Sequence, residues 1–148
     1  MKNLFNILGI ISLGIFFSCS PKGPEKINFG KDQCELCKMG IEDPKFATEL
    51  ITEKGRIYKF DDLNCMQSYA TENAEQVGQA KLYVPDFITN ELFPLEKATL
   101  ITGGAIKSPM NGNVAAFIDK TKAQEEAQKL EAELKGKEQT FRGRLDQF

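Results

Sequence analysis

The sequence predicts an α+β fold, because two separated stretches each run from strand into a capped helix. In the first, residues 45–52 place Phe46, Thr48, Leu50 and Thr52 on one strand face and Ala47, Glu49 and Ile51 on the other. Glu53-Lys54-Gly55 supplies a hairpin loop, its glycine set for a positive φ, and residues 56–60 return as the partner strand. Asp61 and Asp62 then open a helix. In the second stretch, residues 114–118 make a strong strand that leads into Asp119 and another helix. A methionine turn precedes each unit: Met39 before Phe60-Asp61-Asp62, and Met110 before Phe117-Ile118-Asp119. At 148 residues the chain suffices for one domain or two very small ones.

Residues 1–18 stand outside that plan. Lys2 gives a positive start, and residues 4–17 are apolar apart from Asn6, Gly9, Ser12 and Gly14. Such a run is too short to span a bilayer and has the length of a signal-peptide core. It ends in Phe16-Phe17-Ser18-Cys19, which resembles a bacterial lipobox, so the chain is expected to be cut before Cys19 and lipidated there. Residues 19–30, with Pro21, Gly23 and Pro24, read as a tether. Residues 31–136 read as the folded, metal-binding domain.

Within that domain, Ile41-Glu42-Asp43-Pro44 marks a turn, since the residue before proline avoids the helical region. The first helix carries Leu63, Met66, Tyr69 and Ala70 as its core stripe, with Cys65 in its first turns and Gly78 beyond its end. Of Asp61 and Asp62, one is expected to cap the helix and the other to be solvated. A short strand at 82–84, a loop at 86–93 and a strand at 98–102 closed by Gly103-Gly104 follow. Residues 108–112 form a turn. The last helix shows Ala123, Ala127, Leu130 and Leu134 at helical spacing, with Gly136 as its stop, and residues 137–148 read as a mobile tail.

The chemistry is that of sulfur. No histidine occurs, and a net charge of −2 gives no basic footprint for nucleic acid. Cys34 and Cys37 stand two residues apart, the spacing that lets two sulfurs meet at one metal, and Met39 adds a thioether in a loop turned at Gly40. Thiolate and thioether are soft donors, which favour Cu(I) over hard ions. Cys65 offers a third thiol, and Met110 a further thioether if the two halves pack together. Met66, on the helix stripe, reads as core.

Other readings compete. An oxidising compartment favours a disulfide, but three cysteines besides Cys19 leave one over. Zinc could use the three sulfurs with Asp61 or Asp62, yet no second well-spaced ligand pair exists. A thioredoxin-like redox site puts its second cysteine in a helix, whereas here Met39-Gly40 and Asp43-Pro44 follow closely. For Cys65, the helix field lowers the thiol pKa while the two aspartates raise it, leaving the sign open.

Taken together, the lipobox, Cys34-x-x-Cys37-x-Met39-Gly40, Gly55 through Phe60-Asp61-Asp62 with Cys65 and Tyr69, Asp86-Phe87, and Ser108-Pro109-Met110 before Ala116-Phe117 resemble the NosL lipoproteins. That family comprises membrane-anchored copper chaperones for nitrous oxide reductase. The resemblance implies two small, pseudo-repeated ββα-type halves packed together after a lipoprotein signal peptide. It implies no catalysis of its own, but Cu(I) binding and delivery to nitrous oxide reductase with an ABC-type maturation complex. It also implies Cys37 and Met39 as foremost ligands, and a lipid-anchored place in the bacterial cell envelope facing the periplasm. Lys38 stands where members often carry glycine. The expectation is therefore a non-enzymatic Cu(I) metallochaperone. The alternatives are a thiol–disulfide oxidoreductase using Cys34 and Cys37, or an interaction module with structural cysteines.

Overall fold

The computed structural model describes residues 23–136. The expected signal segment, Cys19, the start of the tether and the tail lie outside the described residues.

Two antiparallel sheets share one plan. In the first, β1 (Thr48–Ile51) pairs with β2 (Ile57–Phe60), Leu50 opposite Tyr58. The chain forms α1 (Leu63–Glu72) and the short α2 (Ala74–Val77), then returns as β3 (Lys81–Pro85) on the other side of β1. β4 (Leu92–Pro94) extends this sheet to the order β2-β1-β3-β4. The second unit is β5 (Thr99–Thr102), β6 (Val114–Phe117), α3 (Lys120–Lys129) and β7 (Glu133–Lys135), in the order β6-β5-β7. Each unit is a hairpin, a helix and a returning strand that pairs with the hairpin's first strand. The expected ββα halves are thus ββαβ halves within an α+β fold.

The repeat holds at the helix caps. Asp62 accepts from the Cys65 N–H at 3.0 Å, and Asp119 accepts from Thr121 and Lys122 at 2.7 and 3.2 Å. It fails at the methionines. Met110 lies in the β5–β6 connection, whose counterpart is the Glu53-Lys54-Gly55 loop, whereas Met39 precedes the first unit altogether.

Two strands depart from the sequence expectation. β4 closes what reads as a continuous loop at 86–93. The last helix ends at Lys129, well before Gly136, and Leu134 is an exposed strand residue opposite Ile101. Apolar spacing alone would carry the helix on. Instead, Glu131 turns left-handed at φ 52°, the Leu130 carbonyl accepts from Ala105 at 2.8 Å, and the chain pairs with the open edge of β5. Tertiary pairing overrides local pattern here. Gly104 sits against this corner at φ +56°, where a Cβ would run into the carbonyls of Leu130 and Glu131.

The halves lend each other side chains. Leu100 and Ala116 from the second sheet join the main core around Phe60, Met66 and Tyr69. Phe46, from the approach to β1, packs into the second core with Ile101 and Phe117. A parallel bridge joins Asp86 to Ala116, with the Phe87 N–H donating to the Ala116 carbonyl at 2.8 Å. The buried Asp86 carboxylate accepts from Ile88 and Thr89 at 3.0 Å and, across the joint, from Ile118 at 2.9 Å. Burial pushes this carboxyl up, but the three N–H donors outweigh it and hold the group below its ordinary value.

Candidate metal centre

The sulfur loop is fastened before it turns. Gly30 donates to the Ile41 carbonyl at 2.9 Å, Ile41 to Asp32 at 3.0 Å, and Cys34 to Met39 at 2.8 Å. Ile41 is fully buried, and Ile27, in the stretch expected to be tether, is buried too. Lys59 on β2 clamps the loop from behind. Its ammonium reaches Asp32 Oδ2 at 2.7 Å and the Lys26 carbonyl at 3.1 Å, and its own carbonyl accepts from Glu35 at 2.8 Å. The Asn28 N–H, followed by Lys59, holds the Asp32 carboxyl below its usual value.

The bend between Cys34 and Met39 is made at Lys38, not at Gly40. Lys38 donates to the Cys34 carbonyl at 3.0 Å and lies in the left-handed region at φ 61°, while Gly40 has no positive φ. A non-glycine residue there costs roughly 1–2 kcal/mol, so lysine is held against its preference.

That bend brings Cys34 and Cys37 to one place, and α1 delivers the third thiol. Asp62 caps the helix, and one turn later Cys65 points inward with Leu63, Met66, Tyr69 and Ala70. The sulfurs of Cys34, Cys37 and Cys65 all lie within 4.8 Å of one another. Three sulfurs bonded to one ion at about 2.3 Å in a plane stand ~4 Å apart, so a small contraction would close the trio on a metal. Cys34 and Cys65 are buried, whereas Cys37 is partly exposed. The chemistry therefore has one open side.

All three thiols are free in this structure. The carboxylates of Asp61 and Asp62 stand outside the trio, which removes the zinc set that included one of them. Cys37 lies in a turn rather than a helix, unlike a thioredoxin-type second cysteine. The sign left open for Cys65 resolves upward: burial dominates, followed by the neighbouring Cys34 and then Asp62. Burial likewise raises Cys37, against a hydrogen bond from the Met39 N–H that lowers it. Cys37 and Cys65 are thus held in their thiol form, and a metal must displace their protons.

The methionines divide. Met66 is fully buried core. Met39 stands on the rim, 57% exposed. Met110 is half-buried against the main core, which contains Cys34 and Cys65 and which Cys37 also borders. Asp61, expected in solvent, is only 3% exposed. Burial and then the charges of Asp62, Glu42 and Asp43 raise its carboxyl, which takes a hydrogen bond from the Glu42 backbone.

The trio was visible in residue types. The Lys59 clamp, the left-handed Lys38 and the second set of partners on Asp62 were not.

No curated protein matches the chain significantly in sequence. Its fold is similar to the crystal structure of the copper chaperone NosL from Shewanella denitrificans, with a TM-score of 0.67 and 20% identity over 80% of this chain and 96% of that one. The NosL family model matches residues 26–142, from just ahead of the buried Ile27 to beyond β7, and the chain belongs to the NosL family.

Proposed function

We propose that this chain is a metallochaperone that carries Cu(I) on Cys34, Cys37 and Cys65 with thioether help from Met39, and passes it to nitrous oxide reductase. The observation that carries the reading is the trio itself: three free thiols within 4.8 Å, two of them buried, with no histidine in the chain. Soft donors of this kind select Cu(I). A partly exposed Cys37 beside an exposed Met39 leaves a side from which a receiving protein's ligands can enter and exchange. The role proposed is binding and transfer of the ion, without turnover of a substrate. The structural neighbour is itself described as a copper chaperone, which agrees with this reading.

Anaerobic titration of the reduced full-length chain should give one Cu(I) per chain, bound far more tightly than Zn(II) in chelator competition. Zinc binding of equal strength would favour a structural metal site instead. The handover is tested by mixing Cu(I)-loaded chain with copper-free reductase, alone and with the ABC-type complex, and measuring which protein carries copper after separation.

The attachment proposed is a lipid on Cys19, which would place the domain on the periplasmic side of the cell envelope. Among the described residues no helix is long and apolar enough to cross a membrane. Cys19→Ser should move the protein from the membrane to the soluble fraction. Retention at high salt would argue against the anchor.

A further inference from the structure

Asp62 does more than cap a helix. Its Oδ1 accepts from the Cys65 N–H at 3.0 Å. Its Oδ2 accepts three donors from the β5–β6 connection: the Ser108 hydroxyl at 2.7 Å, the Met110 N–H at 3.2 Å and the Gly112 N–H at 3.3 Å. The side chain is 2% exposed, so these bonds form away from competing water.

The connection is shaped to reach this carboxylate. Ser108 and Asn113 bond each other's backbone N–H groups at 2.8 and 3.0 Å, and Asn111 and Asn113 both take positive φ, at 56° and 48°. Gly112 comes so close that a Cβ would stand 3.0 Å from the Asn64 Cβ and 3.1 Å from Asp62 Oδ2. One carboxylate thus separates the backbone of Met110 from the backbone of Cys65. The Met110 side chain then packs against the main core, the one that holds Cys34 and Cys65 and that Cys37 also borders.

We propose that Asp62 is a positioning residue for copper: it fixes the β5–β6 connection so that the Met110 thioether completes the site begun by the thiol trio. The inference rests on the chaperone reading above. It assigns the second half of the molecule a part in metal binding, through a group that never touches the ion. Partners of this kind typically change metal affinity by 10–100-fold.

The test uses the full chain labelled with [methyl-13C]methionine, whose 4 methionines make assignment by substitution direct. On adding Cu(I) to the unaltered chain, the Met110 methyl resonance should shift. Asp62→Asn keeps one acceptor oxygen and cannot serve both the cap and the connection. In that variant the Met110 shift should vanish while the Met39 shift remains, and Cu(I) affinity should fall about tenfold. Met110→Leu should lose a similar factor, and the double variant no more than either single one.

Ser108→Ala offers a milder check that leaves the helix cap intact. Its roughly threefold loss should disappear in the Met110→Leu background. A normal Met110 shift in Asp62→Asn, or losses that multiply in the double variant, would overturn the proposal. So would a chain that binds Cu(I) with an unmoved Met110 methyl, which leaves the chaperone reading standing. A chain that takes up no Cu(I) ends both.

Discussion

Cys65→Ser should lower Cu(I) affinity by at least about a hundredfold while leaving the domain folded, since outer-shell changes alone reach 10–100-fold and this residue is a proposed direct ligand. The variant keeps the Asp62 cap, because that bond uses the Cys65 backbone and not its sulfur. A serine hydroxyl also fits beside the remaining thiols of Cys34 and Cys37. From sequence alone the outcome depended on whether α1 packs its first turn against the sulfur loop. It does, so Cys65→Ser and Cys37→Ser should now fall together. Met39→Leu should cost less copper affinity, and because Met39 is 57% exposed, any loss reports the thioether rather than packing. In every case affinity should climb with pH, since Cys37 and Cys65 have raised thiol pKa values and must lose protons to bind. Chelator competition across pH, with thermal unfolding of each variant, decides the matter. Unchanged affinity in both cysteine variants would remove the site as drawn.

The second large effect concerns stability. Glu49 stands in the middle of β1, fully buried between Lys59 on β2 and Tyr83 on β3. Its Oε2 accepts from the Glu25 N–H at 2.9 Å, while Oε1 has no hydrogen-bond partner among the described residues. Burial pushes this carboxyl from 4.5 up to about 7. The Glu25 N–H and the Lys59 charge pull it down, and the Glu25 and Asp32 charges push it further up. A raised folded-state pKa means that the folded chain prefers the protonated form. The stabilisation is therefore complete below about pH 4.5 and is lost as pH rises through about 7.

At ~1.4 kcal/mol per pKa unit the swing is up to about 3 kcal/mol. Glu49→Gln should remove most of this slope and leave the variant the more stable of the two at pH 8. Urea unfolding of the reduced, metal-free protein between pH 4.5 and 8 measures it. An identical slope in the variant would show that Glu49 is not its source.

Legibility in the sequence followed distance along the chain. The hairpin, a cap at Asp61 or Asp62, the Asp119 cap and the α1 stripe were readable because their determinants lie within a few residues. The cysteine pair was readable for the same reason. What depended on contact between distant elements was not. β7 carries helical spacing, and only the free edge of β5 makes it a strand. Glu49 reads as an ordinary polar position of an alternating strand, yet both faces of β1 are covered. Asp61 was expected in solvent for want of any sign that Glu42 and Asp43 fold over it. The partners of Asp62 Oδ2 lie 46 to 50 residues away, so no local pattern could announce them.

The bond from Glu25 to Glu49 also sets a leash. It pins the chain to β1 at residue 25, so slack can exist only upstream of that point. From Cys19 to Glu25 is six residues, which fully extended reach about 20 Å. With a lipid at Cys19, as proposed, the domain could rise no farther than that from the membrane surface. The sulfur loop is bolted to the same end of the chain through Lys26 and Lys59. It would stay within a thin layer just above the lipid headgroups.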